Sequence, residues 1–338
     1  PADQWVAHYK EITENNFQPK LLTSDAGKGV CAGSEASFQN VPWQLDTFHS
    51  IAHCLGDWNR RLEQSVDKAI KYAIDRESKL ASAKSEQVID KRLNQCFEAD
   101  KAVGEKLALY ENFSYLHHEI IQQLNLFDDK GQLRGQDQAR DTIEAALELL
   151  LSLAHKPLNK DIKKVQNAVP HIFAYFSDAE VAVQNCQKLT DDKDVLTALY
   201  LAWQWNKVVI KSKQASRRHK AVEQRDFYLA LAMLFVDNEE SALALKEAVY
   251  AELDQVVQAS SMVECINSLL RPYLNNSKNQ VTQAFLNLFM FYHNHRRYHA
   301  GKRKGKTPLE ILTGKKQTED WVTLLQRKLA EQAFAFSA

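Results

Sequence analysis

The stretch Val195-Leu196-Thr197-Ala198-Leu199-Tyr200-Leu201-Ala202-Trp203-Gln204-Trp205-Asn206-Lys207-Val208-Val209-Ile210 decides the fold class. It has a helical pattern, and it lies inside a longer interval, Gln136 through Ala300, that contains no glycine. Only Pro157, Pro170 and Pro272 interrupt that interval. Sheets need Gly and Pro at their turns, so a gap of this length argues for helices. The pattern extends outward in both directions. Ala145 to Leu153 is largely apolar without strand punctuation, and Phe227 to Val236 is dense in Leu, Met and Phe. From about Asp57 to Ala259 the chain reads as helical throughout, with a loop from Asp128 to Gln138 around Gly131 and Gly135 and breaks at Pro157 and Pro170. No fixed-period repeat is evident, which argues against a regular solenoid.

Composition bounds the rest. With 338 residues, 45% of them hydrophobic and 25% charged, the chain is globular and not disordered, with room for roughly two domains of about 100 to 200 residues. The 43 basic and 43 acidic residues cancel, but not locally. Residues 1–150 carry 17 bases and 24 acids, a net of −7, whereas residues 261–338 carry 12 bases and 5 acids, a net of +7. A basic C-terminal block is the local footprint that nucleic-acid binding requires, and a solvated Lys/Arg surface is the plain alternative. Five cysteines, odd in number and without a C-x-x-C pair, read as reduced thiols in a cytoplasmic setting. No apolar run approaches the ~20 residues of a membrane span and no leader opens the chain, so no membrane association is expected. The start at Pro1, not Met, suggests a processed product or a fragment.

Only the first 56 residues look mixed. Trp5 to Glu14 has a helical pattern, Pro19 breaks it, and Lys20-Leu21-Leu22-Thr23 reads as a short buried strand ending in the turn Ser24-Asp25-Ala26-Gly27. A glycine-spaced segment to Gly33 and a short helix to Asn40 precede a second strand, Val41 to Asp46. Two such strands cannot form a stable sheet alone, so further strands are expected elsewhere or upstream. Beyond Ser260, helices are expected over Met262–Leu274 and Gln280–His293, then a basic stretch. Thr307-Pro308 opens one more short helix to Gly314, with Thr307 as N-cap.

Several residues could carry chemistry. Asp25, just past a strand, sits where sites in α/β folds collect, or else it forms an Asx turn beside the glycines. Glu264 lies in Ser261-Met262-Val263-Glu264, which fits a capping box. It also shares one helical face with Asn267, Ser268 and Arg271, at i, i+3, i+4 and i+7. His49 and His53, at i and i+4 with Cys54 adjacent, form a candidate Zn²⁺ site without an obvious fourth ligand.

Taken together, Ser24-Asp25-Ala26-Gly27, the segment from Ser260 to Arg271, Phe291-Tyr292-His293-Asn294-His295-Arg296-Arg297 and the run from Gly301 to Leu312 resemble the C-terminal parts of a DDE transposase of the insertion-sequence type. The resemblance covers residues 1–56 and 259–314. It implies a ribonuclease-H-like core, here partial, interrupted by a large all-helical insertion, in a mainly α chain with a small α/β part. The implied division is 1–56 (core with the second acid), 57–258 (helical insertion domain), 259–316 (returning core helices with the third acid and basic tail) and 317–338 (C-terminal helix).

By that resemblance Asp25 and Glu264 are catalytic and hold Mg²⁺ (or Mn²⁺). Two-metal phosphodiester chemistry needs hard cations about 3.5–4 Å apart, and such cations want carboxylates. Asp46-Thr47-Phe48-His49 is similar to the C/D-x-x-H element of transposases with a large helical insertion, the Mutator-like group among them, which gives Asp46 and His49 supporting parts. Arg271 would face DNA phosphate, and Asn267 would position the helix or contact DNA. Arg296, Arg297, Lys302, Arg303, Lys304 and Lys306 would meet phosphates, as would Lys213, Arg217 and Arg218 of a second basic cluster after Trp203 and Trp205. The implied activity is cleavage and strand transfer at transposon ends. Its partners would be double-stranded DNA (transposon ends and target) and further copies of the chain in a homo-oligomer on DNA. The family's first acid has no counterpart before Asp25, so three core strands are expected upstream of Pro1 and the polypeptide alone is expected to lack strand-transfer activity. The rival expectation is a non-catalytic helical DNA-binding or scaffold protein in which both acids are caps.

Overall fold

The glycine-free interval is helical, as its composition requires, and the two short strands sit at the N-terminal end of the helical body. In this computed structural model, residues 2–14, 19–25, 27–236, 238–259, 261–278, 280–301 and 303–336 are described, without the side chains of residues 11, 12, 48, 261–264 and 332–336. The described residues form fourteen α-helices and two three-residue strands. They divide into two units, Pro1–Ser260 and Ser261–Ala338.

In the first unit, helix α1 (Ala2–Glu14) packs on α2 (Lys28–Ser37). Gly33 permits that approach, since a Cβ there would stand 2.6 Å from Trp5 Cβ. Helix α2 therefore begins earlier than the sequence suggests and runs through both Gly29 and Gly33. It is the crossover between β1 (Leu22–Ser24) and β2 (Trp43–Leu45), which pair in parallel with Leu22 opposite Trp43, Thr23 opposite Gln44 and Ser24 opposite Leu45. Parallel strands need such a crossover because no tight turn can join them.

Both strands are shorter than expected, and among the described residues they pair only with each other. Side chains supply what a third strand would. Trp43 Nε1 donates to Ser24 Oγ across the pair at 3.0 Å. The fully buried Gln44 amide donates to Val257 O at 2.8 Å and accepts from Tyr175 N at 2.9 Å.

A π-helical turn (Phe48–His53) leads into α3 (Cys54–Ala81), which forms a long hairpin with α4 (Glu86–Gln123). The loop expected from Asp128 lies between α4 and α5 (Gln136–Ser152), closed by an antiparallel bridge between Phe127 and Leu133. Pro157 falls in the first turn of α6 (Lys156–Ala168), where its missing N–H is harmless. Pro170 falls in a 3₁₀ turn before α7 (Tyr175–Gln187). Helices α8 (Lys193–Lys211), α9 (Ala215–Met233) and α10 (Glu239–Leu253) complete the body. Phe113, Leu147, Ile162, Tyr175 and Trp203 belong to one buried apolar cluster that also takes in Leu45 and Ile51, so the sheet and the helices share a core.

The second unit holds α11 (Ser261–Asn276), α12 (Gln283–His295), α13 (Pro308–Thr313) and α14 (Trp321–Phe336). Tyr273 of α11 packs its ring against Phe285 and Phe289 of α12, at centroid separations of 5.4 and 6.0 Å. Thr307 caps α13 in a complete capping box with Glu310, and the helix stops at Gly314 in the left-handed region. The fold is mainly α with a small parallel sheet.

Candidate functional site

The C-terminal ends of β1 and β2 bring two carboxylates to one sheet edge. Asp46 N donates to Ser24 O at 2.7 Å, extending the ladder one residue past β2, and with Ser24 opposite Leu45 the next residues, Asp25 and Asp46, follow adjacent strand ends. Ligand sites in parallel α/β units collect at such edges. Asp25 is exposed, and its Oδ1 accepts from Gly27 N at 3.1 Å, which is the Asx turn foreseen as its simpler reading. Asp46 is 2% exposed, and its Oδ1 accepts from His49 N at 3.0 Å, tying down the start of the π-helical turn.

His49 is half-buried with its ring 6.0 Å from that of His53, and its carbonyl accepts from Cys54 Sγ at 3.5 Å. Burial foremost pushes the Cys54 thiol up, with Asp161 adding and Lys164 opposing, the wrong direction for a thiolate ligand. Among the described residues no three His, Cys, Asp or Glu side chains are grouped to hold a metal ion, so the candidate Zn²⁺ site at His49, His53 and Cys54 is not assembled.

The same edge anchors the end of the helical body. Thr47 donates to Gln258 O from both its backbone N, at 3.3 Å, and its Oγ1, at 2.9 Å. Together with the bond from Gln44 to Val257, this fixes the segment after α10 beside the end of β2, three residues before α11 begins. Gln44, Thr47 and Gln258 escaped the sequence reading because the bonds that join β2 to the 257–258 segment span more than 200 residues. The one local signal was a glutamine inside an apolar strand.

On α11 the spacing places Asn267, Ser268 and Arg271 on the face of Glu264, with Asn267 half-buried and Arg271 exposed. The Glu264 side chain and the capping box expected with Ser261 lie outside the described residues, as does Lys302.

In the basic segment the arginines divide. Arg297 does not present its fork outward as expected. Its Nη1 bonds both Glu310 oxygens at 3.1 Å and Gly305 O at 2.7 Å, and its Nη2 reaches Gln317 O. Glu310 is held below the ordinary carboxylate range, first by the Thr307 N–H, then by the Gln317 N–H and Arg297. Arg297 thus braces the 296–317 turn. Arg296 and Arg303 lie over the rings of Tyr292 and Tyr298, at 5.3 and 5.9 Å, while Lys304 and Lys306 are exposed. His293 stacks on Phe289, and its burial lowers its pKa, with Arg296 adding to the shift. His295 pairs with Gln317 Oε1 at 2.8 Å. In the second cluster Lys213, Arg217 and Arg218 are exposed around the α8–α9 turn, whereas Arg225 bonds Asp226 at 2.8 Å.

No protein-family model matches the chain, and no curated protein or solved structure matches it. Among the described residues, no helix is long and apolar enough to cross a membrane.

Proposed function

We propose that this chain is a catalytic part of a DDE transposase of the insertion-sequence type, acting on the phosphodiesters of transposon ends and target DNA. One observation carries the reading. The chain leaves a parallel β-α-β unit through Asp46, builds a helical body of some 200 residues, and returns to the same strand end through the Thr47–Gln258 and Gln44–Val257 bonds immediately before the helix that bears Glu264. A ribonuclease-H-like core interrupted by a helical insertion requires such a return.

Carboxylates at adjacent strand ends are the hard donors that Mg²⁺ or Mn²⁺ prefers, and Asp25 with Glu264 would hold the ion, Asp46 standing beside Asp25. When bound, that metal supplies activation of the attacking oxygen and stabilisation of the leaving oxygen. The chain's own contribution is positional. Gly27 N orients the Asp25 carboxylate, Asp46 fixes the turn that carries His49, and the exposed Lys304 and Lys306 suit the phosphate backbone.

Mn²⁺ binding to the 338-residue chain, followed by paramagnetic relaxation of water protons, tests the reading. Asp25→Asn and Glu264→Gln should each weaken binding at least tenfold. Binding unchanged in both variants would refute it. The Asx turn at Asp25 favours a second reading, a non-catalytic helical DNA-binding protein in which that acid is only a turn former. It requires DNA binding without any Mn²⁺ site.

A further inference from the structure

The helical body contains a cleft of about 200 Å³ at the α8–α9 turn, in the first unit. Leu126, Trp203 and Val208 line its apolar part, and Lys207, Lys211 and Arg217 bring three cations to it. Trp203 is 2% exposed, with its Nε1 donating to Asp254 Oδ1 at 3.0 Å and Lys207 Nζ lying 4.0 Å from its ring centroid. The ring is therefore a rigid floor under a cation and not a free stacking platform. Lys211 and Arg217 are exposed on the two sides of the turn.

The charges point to an anion, and a shared residue ties the cleft to the strand end. Arg217 and Arg218 stand in the first turn of α9, where no acidic residue offsets them and Gln214 provides no side-chain cap. Cations at a helix N-terminus oppose its dipole, so the arrangement is unfavourable until a negative group arrives. Gln258 also lines the cleft, and it is the residue whose carbonyl accepts from Thr47 beside Asp46. The cationic cleft and the carboxylate-bearing strand end thus adjoin through a single residue.

We infer that this cleft binds a backbone phosphate of a nucleic-acid strand and positions that strand along the body toward the Asp46 edge. The inference deepens the proposed function, on which it rests for the identity of the ligand as nucleic acid. The volume is below the ~300–1,000 Å³ that encloses a drug-sized ligand, and suits a phosphate with its sugar and no base. Recognition here is therefore independent of sequence.

The test uses the whole chain in EDTA, with a fluorescein-labelled 12-nucleotide DNA strand followed by anisotropy across a salt series, and inorganic pyrophosphate as competitor. The double variant Lys211→Gln/Arg217→Gln should bind at least tenfold more weakly at 0.1 M salt. It should also lose about 0.7–0.9 from the slope of log K against log salt for each phosphate contact removed. The control Lys68→Gln/Lys71→Gln removes the same charge from exposed positions of α3, outside the cleft lining, and should change affinity less than threefold. Equal losses in the two variants, or none in either, would overturn the proposal. Pyrophosphate bound at the cleft with no strand binding would overturn it too, assigning the site to a free phosphate compound. Because no metal is present, a chain that fails the Mn²⁺ test can still pass this one, and the two failures are separable.

Discussion

Replacing Gln44 with Met probes the tie between the sheet and the segment that returns from the helical body. Methionine keeps the volume in a site that is fully buried but removes both hydrogen bonds. Tyr175 N–H, on a residue with no exposed surface, is stranded when Gln44 Oε1 is lost, at about 1–3 kcal/mol. Val257, 43% exposed, can offer its carbonyl to water, so losing the Gln44 Nε2 donor removes only the net worth of a hydrogen bond, about 0.5–1.5 kcal/mol. Gln44→Met should therefore destabilise the first unit by about 1.5–4.5 kcal/mol in urea unfolding. Amide exchange should quicken at Tyr175 and at Thr47, whose N–H loses its fixed partner when the segment carrying Gln258 loosens. A loss under about 1 kcal/mol with Thr47 protection unchanged would refute the claim that side chains replace the missing strand neighbours.

Three further outcomes follow from particular contacts. Gly131→Ala should cost at least about 2 kcal/mol by thermal unfolding, because φ is +73° and the new Cβ would meet Thr197 Cγ2 at 2.6 Å; adding Thr197→Ser should restore part of the loss. Tyr175→Phe should cost about 1 kcal/mol or less, since Leu124 O, which accepts from Tyr175 Oη at 3.2 Å, keeps its bond from Gln258 Nε2 at 2.8 Å. Glu310 has a depressed folded pKa, so its contribution is present above the unfolded value of about 4.3 and is lost as pH falls through the folded one. Amide protection over residues 307–317 should drop below about pH 4 in the native chain and become pH-independent there in Glu310→Gln.

How far the sequence carried the reading can be argued residue by residue. The helical body was legible because glycine is absent from residues 136–300 and Pro157 and Pro170 mark helix boundaries. The α13 cap was legible because a capping box is local: Thr307, Pro308 and Glu310 are all within four residues. The extent of α2 was not, because Gly33, one of the glycines that suggest a loop, is there for the contact with Trp5. Nor was the structural part of Arg297, since its pairing with Glu310 and Gln317 depends on how the 296–317 turn closes. At the candidate site, position past a strand was readable for Asp25 and Asp46. So was the Asx turn at Asp25, a local contact with Gly27, whereas the π-helical turn and the pinning of Gln258 depend on tertiary structure and were not.

The distance between the Asp25 and Glu264 carboxylates tests the central claim most directly, in a crystal structure of the chain grown with Mn²⁺. The account predicts both carboxylates coordinating the same ion or a pair of ions about 4 Å apart. Carboxylates more than about 10 Å apart, with no shared cleft and no bound ion, would contradict it.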